Sequence, residues 1–433
     1  MASPRTHTLD NFRTSLTALV ILHHASTPYG GAGPWPYTSP RYYPNSSPAL
    51  VLFNATNQTF FMGSFFLVSA YFSSIAAKKK TRSQFLREKW RRLGVPTLVF
   101  CLVRGGFVRG ILAGRLKGEG WGVVGREVWE GVKSVRGIRG PVWYCATLLI
   151  FDAVFAGVLP GYFAREKPLV AKEKKTSGTV SSDIKASASS TKTSSQMEVT
   201  NAPEEPKPFR TTHVLATLGL ISTSSFLIRL YYPVGRAFWP LFLQLAYVSQ
   251  YVTYYTAGIY IHRSGRSLQN AISSSTLRIV GTITASIASL SLFHIKFLLD
   301  TGMSFPEIVP LIFGGPNLLA FLYAFFNEFA GLTLASLLLK AFHNPRLAFL
   351  SKRWIVGSMD VAKYSYAAFL IHAPVVLDLQ CWFGKKGWEG MGAVASAVVV
   401  GALSVVESWA VGVVLKKGIE WVWGDAIVGE SVL

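Results

Sequence analysis

An arginine and a histidine share the first apolar segment of the chain, LDNFRTSLTALVILHHASTPYGG, with Arg13 near its start and His24 near its far end. Ionisable side chains inside a bilayer are costly and mark functional positions. Eleven residues of α-helix turn through about 1,100°, three turns plus roughly 20°, and rise about 16 Å. Arg13 and His24 therefore share one stripe, the arginine near a membrane surface and the histidine deep. His23 lies about 100° round the helix and points elsewhere. The spacing suits an anionic ligand gripped at the mouth, with its reactive end delivered to a buried base. Asp10, one turn before Arg13, is placed to orient it.

The elements that must hold this pair are membrane helices. Half of the residues are hydrophobic, only 15% are charged, and 12 Trp, 17 Tyr and 29 Phe suit interfacial aromatic belts. The fold class read from this is all-α, a polytopic transmembrane helical bundle. Ten apolar stretches are long enough to cross about 30 Å of hydrocarbon. They run 14–31, 58–77, 93–112, 141–160, 212–232, 238–261, 277–299, 317–340, 355–377 and 391–415. The third is interrupted by Arg104 and Arg109, which must face the protein or snorkel to an edge. The net charge of +21 does not point to nucleic acid. Many of the basic residues sit in loops between apolar stretches, and no ordered basic face with stacking aromatics stands apart from them. Cys101, Cys145 and Cys381 form neither a disulfide framework nor a metal-ligand spacing. The first apolar run lacks a clear A-x-A step and reads as a retained first helix.

Loop charge sets an expected orientation, with both termini cytosolic. KKKTRSQFLREKWRR after the second stretch, the 161–211 segment, HRSGR at 262–266, the stretch 340–353 and Lys416-Lys417 all fall on one side of a ten-crossing chain. The first loop falls on the other side, with N-x-[ST] sequons at Asn45, Asn54 and Asn57 that read as lumenal glycosylation acceptors. The basic loop 113–139 breaks the pattern, either as a true exception or because the third helix is re-entrant. Residues 165–210 are Ser-, Thr- and Lys-rich and are expected to be disordered. The chain thus divides into 1–160 with the first four helices and the catalytic motif, a cytosolic insert 161–211, and 212–433 with the last six helices, all one domain.

Five local features recur in one order: Arg13 with His24; FFMGSFFLVSAYF at 60–72; RRLGVP at 91–96; GPVWY at 140–144; and YSYAAFLIHAPVV at 364–376. With these the chain resembles the acyltransferase 3 family of integral membrane O-acyltransferases, nearest its fungal, glucan-modifying-like branch. The resemblance covers nearly everything except the insert and the termini. It implies about ten transmembrane helices and transfer of an acyl group, often acetyl, from cytosolic acyl-CoA to hydroxyls of carbohydrates or small hydrophobic metabolites. No cofactor is held permanently, no metal is implied, and acyl-CoA (acetyl-CoA) is a co-substrate. The partners implied are acyl-CoA, a hydroxyl-bearing acceptor and the lipid bilayer, in an endomembrane or the plasma membrane.

Carried over residue by residue, the family's Arg, ten residues, His pattern matches Arg13 and His24, and favours His24 over His23 as the catalytic histidine. The R-x-x-R element aligns with Lys89 and Arg92. Lysine in its first position keeps the charge and loses the bidentate fork, and Arg91 stands next in line to compensate. Trp143 matches an aromatic step, with Tyr144 in place of the usual Phe. Ser365, Tyr366, Leu370 and His372 match S-Y-x-x-x-L-x-H, and Ser69-Ala70-Tyr71 stands where the family reads S-G-F. A neutral imidazole at His24 would take the hydroxyl proton as the oxygen attacks the thioester. Arg13, Lys89, Arg91 and Arg92 would grip the CoA phosphates, since guanidinium binds phosphate through paired donors. Lys89, Arg91 and Arg92 read equally as topology determinants, and Trp143 as an interfacial belt residue. Trp143, Tyr366 and Glu328 are candidates for lining the substrate site. His372 reads as structural or acceptor-lining, and His294 as a further pocket candidate. Arg229 and Arg236 read as anchors of a lumenal turn. A transporter exporting an acylated or glycosylated product is the alternative. Paired halves with broken helices would mark it, and no such internal symmetry is visible.

Overall fold

The computed structural model describes residues 7–133, 137–164 and 206–423. The disorder expected of the insert lies almost wholly outside the described residues. The helices in chain order are α1 (His7–Ser26), α2 (Pro48–Lys79), α3 (Arg82–Lys89), α4 (Val95–Leu112), α5 (Trp121–Lys133), α6 (Val142–Val158) and α7 (Thr211–Arg229). They continue as α8 (Val248–Arg263), α9 (Ser274–Asp300), α10 (Phe305–Phe313), α11 (Leu318–Phe342), α12 (Ala348–Ser351), α13 (Val361–Lys385) and α14 (Ala393–Trp423). Two short antiparallel hairpins pair Ala237–Phe238 with Leu243–Gln244 and Ile355–Val356 with Met359–Asp360. The fold is an all-α bundle, and each of the ten apolar stretches holds a helix.

Among the described residues, seven helical runs are long and apolar enough to cross a bilayer: α2, Arg82–Lys117 as one run, α7, α9, α11, α13 and α14. The other three stretches hold α1, α6 and α8. α6 and α8 are short, and α1 carries Asp10, Arg13 and two histidines.

Helix α1 is central, packed against α2, α13 and α14. Its inward side carries Phe12, Leu16 and Val20 into a core with Phe61, Phe65, Phe66, Tyr144 and Phe369. α2 is held from its other side by glycines. A Cβ on Gly331 of α11 would come within 2.4 Å of the Thr59 carbonyl, and one on Gly258 of α8 within 2.3 Å of the Leu67 carbonyl. Small residues bring helix backbones into contact where lipid supplies no hydrophobic drive between them.

The second helix starts at Pro48, ten residues before the apolar stretch that announced it. This corrects part of the glycosylation expectation. Asn54 and Asn57 lie inside α2 and are buried. The Asn54 amide donates to the His23 carbonyl at 3.1 Å and to Ser26 Oγ at 2.9 Å, while its oxygen accepts from Ala32 N at 3.0 Å. Neither side chain can carry a glycan in this fold. Asn45 sits half-buried in the loop before α2 and is the sequon that stays accessible.

Much of the basic segment 113–139 is helical. α4 runs through a wide π-turn at Ala113–Lys117, and α5 then folds back along it. Gly106 and Gly131 meet at the crossing, where a Cβ on Gly131 would lie 2.1 Å from Gly106 N. Several of the charges pair with acids. Arg115 grips Asp378 of α13 through two bonds of 2.7 and 2.8 Å, and Arg109 lies 3.4 Å from Glu127. Arg104 turns inward with its Nε buried beside Gly140.

Candidate active site

Arg13 occupies the first half of α1, and His24 the last turn of the same unbroken helix. A small cavity opens against Arg13, lined by Thr17 from α1, Phe65 from α2, Tyr144 from α6, and Ser365, Tyr366 and Phe369 from α13. It encloses about 20 Å³, room for about one water. The Arg13 Nε is buried beside it with no hydrogen-bond partner among the described residues. Polar atoms on its wall are tied down. Tyr144 Oη and Ser69 Oγ bond at 2.8 Å, and Tyr366 Oη donates to the Arg92 carbonyl at 2.8 Å.

Three basic candidates, Lys89, Arg91 and Arg92, stand at and just beyond the end of α3, and the chain separates them. Trp90–Gly94 forms a π-turn, with the Trp90 ring folded over Gly94, where a Cβ would lie 2.5 Å from it. Lys89 turns inward, donates to Ser73 Oγ at 2.7 Å and pairs with the buried Asp152 at 2.9 Å. Tyr255 Oη donates to the other Asp152 oxygen at 2.7 Å. Arg91 is exposed. Arg92 faces inward and feels the like charge of Arg13, which lines the cavity, while the Arg92 carbonyl holds the cavity residue Tyr366. Wide turns of this kind occur often at functional sites.

At the other end of α1 the His24 ring is half-buried. It stacks on His372 of α13, with centroids 5.4 Å apart and planes 17° apart, and on Trp35, at 4.8 Å and 22°. His23 stands perpendicular to it at 5.5 Å and packs on Phe61 at 5.2 Å. His23 is thus a core side chain. His372 Nδ1 donates to the Phe369 carbonyl at 2.5 Å, and its Nε2, the acceptor of the neutral ring, is buried and unpartnered among the described residues. Phe369 joins the two ends: it lines the cavity and packs on Phe65 at 5.8 Å and on His372 at 5.7 Å.

Arg13, Arg92, Tyr366, His372 and His24 are therefore gathered along one line. Trp143 and Glu328 are not on it. Trp143 packs on Phe66 and Tyr251, and its neighbour Tyr144 takes the place on the cavity wall. Glu328 is buried in α11, where it accepts from Asn327 Nδ2 at 2.8 Å and Gln250 Nε2 at 3.1 Å. Near it, Arg229 is fully buried between the rings of Tyr247 and Tyr323, 5.3 and 4.8 Å from their centroids, so it is a core residue and not a loop anchor. Arg236 is exposed against Tyr232. His294 stacks on Phe297 in the peripheral α9. A second cavity of about 250 Å³, mostly apolar, opens between α4, α13 and α14. Sequence reasoning gave no site role to Phe65, Tyr144, Phe369, Trp35 and Gln380, although the first three lie in the motifs at 60–72, 140–144 and 364–376.

The family model for the acyltransferase 3 domain, described as "Acyltransferase domain", matches residues 6–413. No curated protein and no solved structure matches the chain.

Proposed function

The chain belongs to the acyltransferase 3 family, as an integral, multi-pass membrane protein with a transferase's chemistry, and from that premise we propose that it moves an acyl group, acetyl in the simplest case, from acyl-CoA to a hydroxyl of a carbohydrate or small hydrophobic metabolite. The observation that carries this is the line from Arg13 to His24. A guanidinium pair stands at one end, an imidazole with no side-chain hydrogen bond among the described residues at the other, and a cavity walled by aromatic rings between them.

Arg13 and Arg92 bind the CoA phosphates through paired donors. The thioester arm runs along the α1 stripe past Thr17 and Phe65. The cavity as it stands admits about one water, so the arm parts Phe65 from Phe369 as it enters. His24 takes the proton of the acceptor hydroxyl as its oxygen attacks the thioester carbonyl carbon. The C–O bond forms, the C–S bond breaks, and the imidazolium returns the proton to the departing thiolate. His372, fixed by its bond to Phe369, holds the His24 ring plane by stacking.

The test uses purified full-length protein with labelled acetyl-CoA and a panel of glycans and hydrophobic alcohols. Transfer of label with thiol release is expected. His24→Ala should lower the rate by roughly 10²–10⁴-fold, the usual worth of a positioned general base. Full activity in that variant would sink the mechanism. Movement of a substrate across sealed vesicles with no acetyl-CoA consumed would favour the exporter instead.

A further inference from the structure

The turn after α1 closes over the catalytic end of the helix, and one residue of it touches His24. Trp35 sits in Gly33-Pro34-Trp35-Pro36, a run in which both flanking prolines restrict the backbone. Gly33, Pro34 and Pro36 are exposed, while the indole turns inward and is half-buried. Its ring stacks on His24 at 4.8 Å with planes 22° apart. Its Nε1 donates to Gln380 Oε1, and the Gln380 amide donates to the His24 and Ala25 carbonyls at 3.2 Å each. One glutamine thus ties the indole to the backbone of the residue on which the indole stacks.

The rest of the turn is laced down as firmly. Tyr37 Oη and Ser39 Oγ donate to the two oxygens of the buried Glu389 at 2.8 and 2.6 Å, and Tyr42 Oη donates to its carbonyl. Ala32 N is held by Asn54 at 3.0 Å. A loop that served only to connect α1 to α2 would not need this many buried anchors around one tryptophan.

We propose that Trp35 is a positioning residue for the transfer reaction, a fixed indole cap that holds the His24 ring plane and keeps water from it at the end of α1 opposite Arg13. The inference rests on the reading of His24 as the base. Without the cap, water takes the place of the acceptor: its oxygen attacks the thioester carbon, His24 accepts its proton, the C–S bond breaks, and the thiolate leaves with that proton as free CoA and a carboxylic acid. Trp35 therefore sets the partition between transfer and hydrolysis.

Two measurements on the purified full-length protein test this. The first is the rate at which diethylpyrocarbonate modifies His24, read by peptide mass spectrometry, which needs no catalysis. Trp35→Ala should raise it roughly three- to tenfold, the population change that loss of one aromatic stack produces. Trp35→Phe, which keeps a stacking ring, should stay near wild type, and Gln380→Leu should fall between. The second is His24-dependent CoA release from acetyl-CoA without acceptor, which should rise in Trp35→Ala and be restored by Trp35→Phe. Unchanged His24 modification in folded Trp35→Ala overturns the inference. If Trp35→Ala does not fold, unchanged modification in Gln380→Leu overturns it equally. Wild-type protein whose thiol release ignores His24→Ala overturns the catalytic reading, and the modification rates still decide whether Trp35 caps the ring.

Discussion

Lys89 and Arg92 carry the same charge three residues apart and meet different surroundings. Lys89 is spent on Asp152 at 2.9 Å, with the carboxylate fully buried. Arg92 instead faces inward and feels the like charge of Arg13, whose side chain lines the small cavity. Substitutions should therefore separate cleanly. Arg13→Lys and Arg92→Lys lose the bidentate fork and should raise KM for acyl-CoA about tenfold, with kcat much less changed. Lys89→Ala should instead act on folding. It strands a buried carboxylate, at a cost of about 3–5 kcal/mol. The double change Lys89→Met with Asp152→Leu should recover most of that loss, because neither charge then remains. Thermal melting in detergent beside acyl-CoA titrations reads both quantities. A Lys89→Ala protein that melts like wild type but binds acyl-CoA poorly would return Lys89 to the ligand site.

At the scale of elements, α5 shows how a basic segment can stand where loop charge alone would not place it. Its Lys133 pairs with Glu130, its Glu127 pairs with Arg109 of α4, and Arg115 in the turn before it pairs with Asp378, so the region presents less charge than its sequence suggests. The return along α4 depends on the Gly106–Gly131 crossing. Gly131→Leu forces the two backbones apart. It should cost about 1–3 kcal/mol as overpacking and release α5 to protease, while a leucine at Gly122, with open space around it, should do neither. Equal proteolysis of the two variants would show that the crossing does not hold α5. The same contrast explains what the sequence made legible. Long apolar runs announce helices through composition alone, so all ten stretches were readable. The start of α2 was not, because Asn54 and Asn57 look like loop residues until their inward partners are known. α5 was hidden by its glycines and charges. The Arg13–His24 stripe was legible because helical periodicity is local. Trp35 meets Gln380 across 345 positions, and Phe369 reaches Phe65 only through the packing of α13 on the core, so no periodicity pointed to either.

At the scale of the whole molecule, the reading requires one orientation. On the proposed reading acyl-CoA reaches the site from the Arg13 end, which puts Arg13, Lys89 and Arg92 at the cytosolic face and the Trp35 turn on the far side. Asn45 lies in that turn and reports its side. Asn45→Gln should remove any glycan from the protein made in a secretory cell. Asn54→Gln and Asn57→Gln should leave its mass unchanged, because both amides are buried in α2. A second reporter does not depend on glycosylation. With the half-buried Cys101 changed to Ser, and with Cys145 and Cys381 already buried, a cysteine placed at exposed Arg41 marks the turn and one at exposed Arg87 marks the Arg92 side. A membrane-impermeant maleimide added to intact cells or right-side-out vesicles, lumen or exterior outward, should label the Arg41 position at once. It should label the Arg87 position only after permeabilisation. The reverse pattern would put Arg13 on the side away from cytosolic acyl-CoA, and the donor would then have to pass the Trp35 cap before reaching His24. The proposed path along α1 could not stand with that orientation, whatever the activity of the protein.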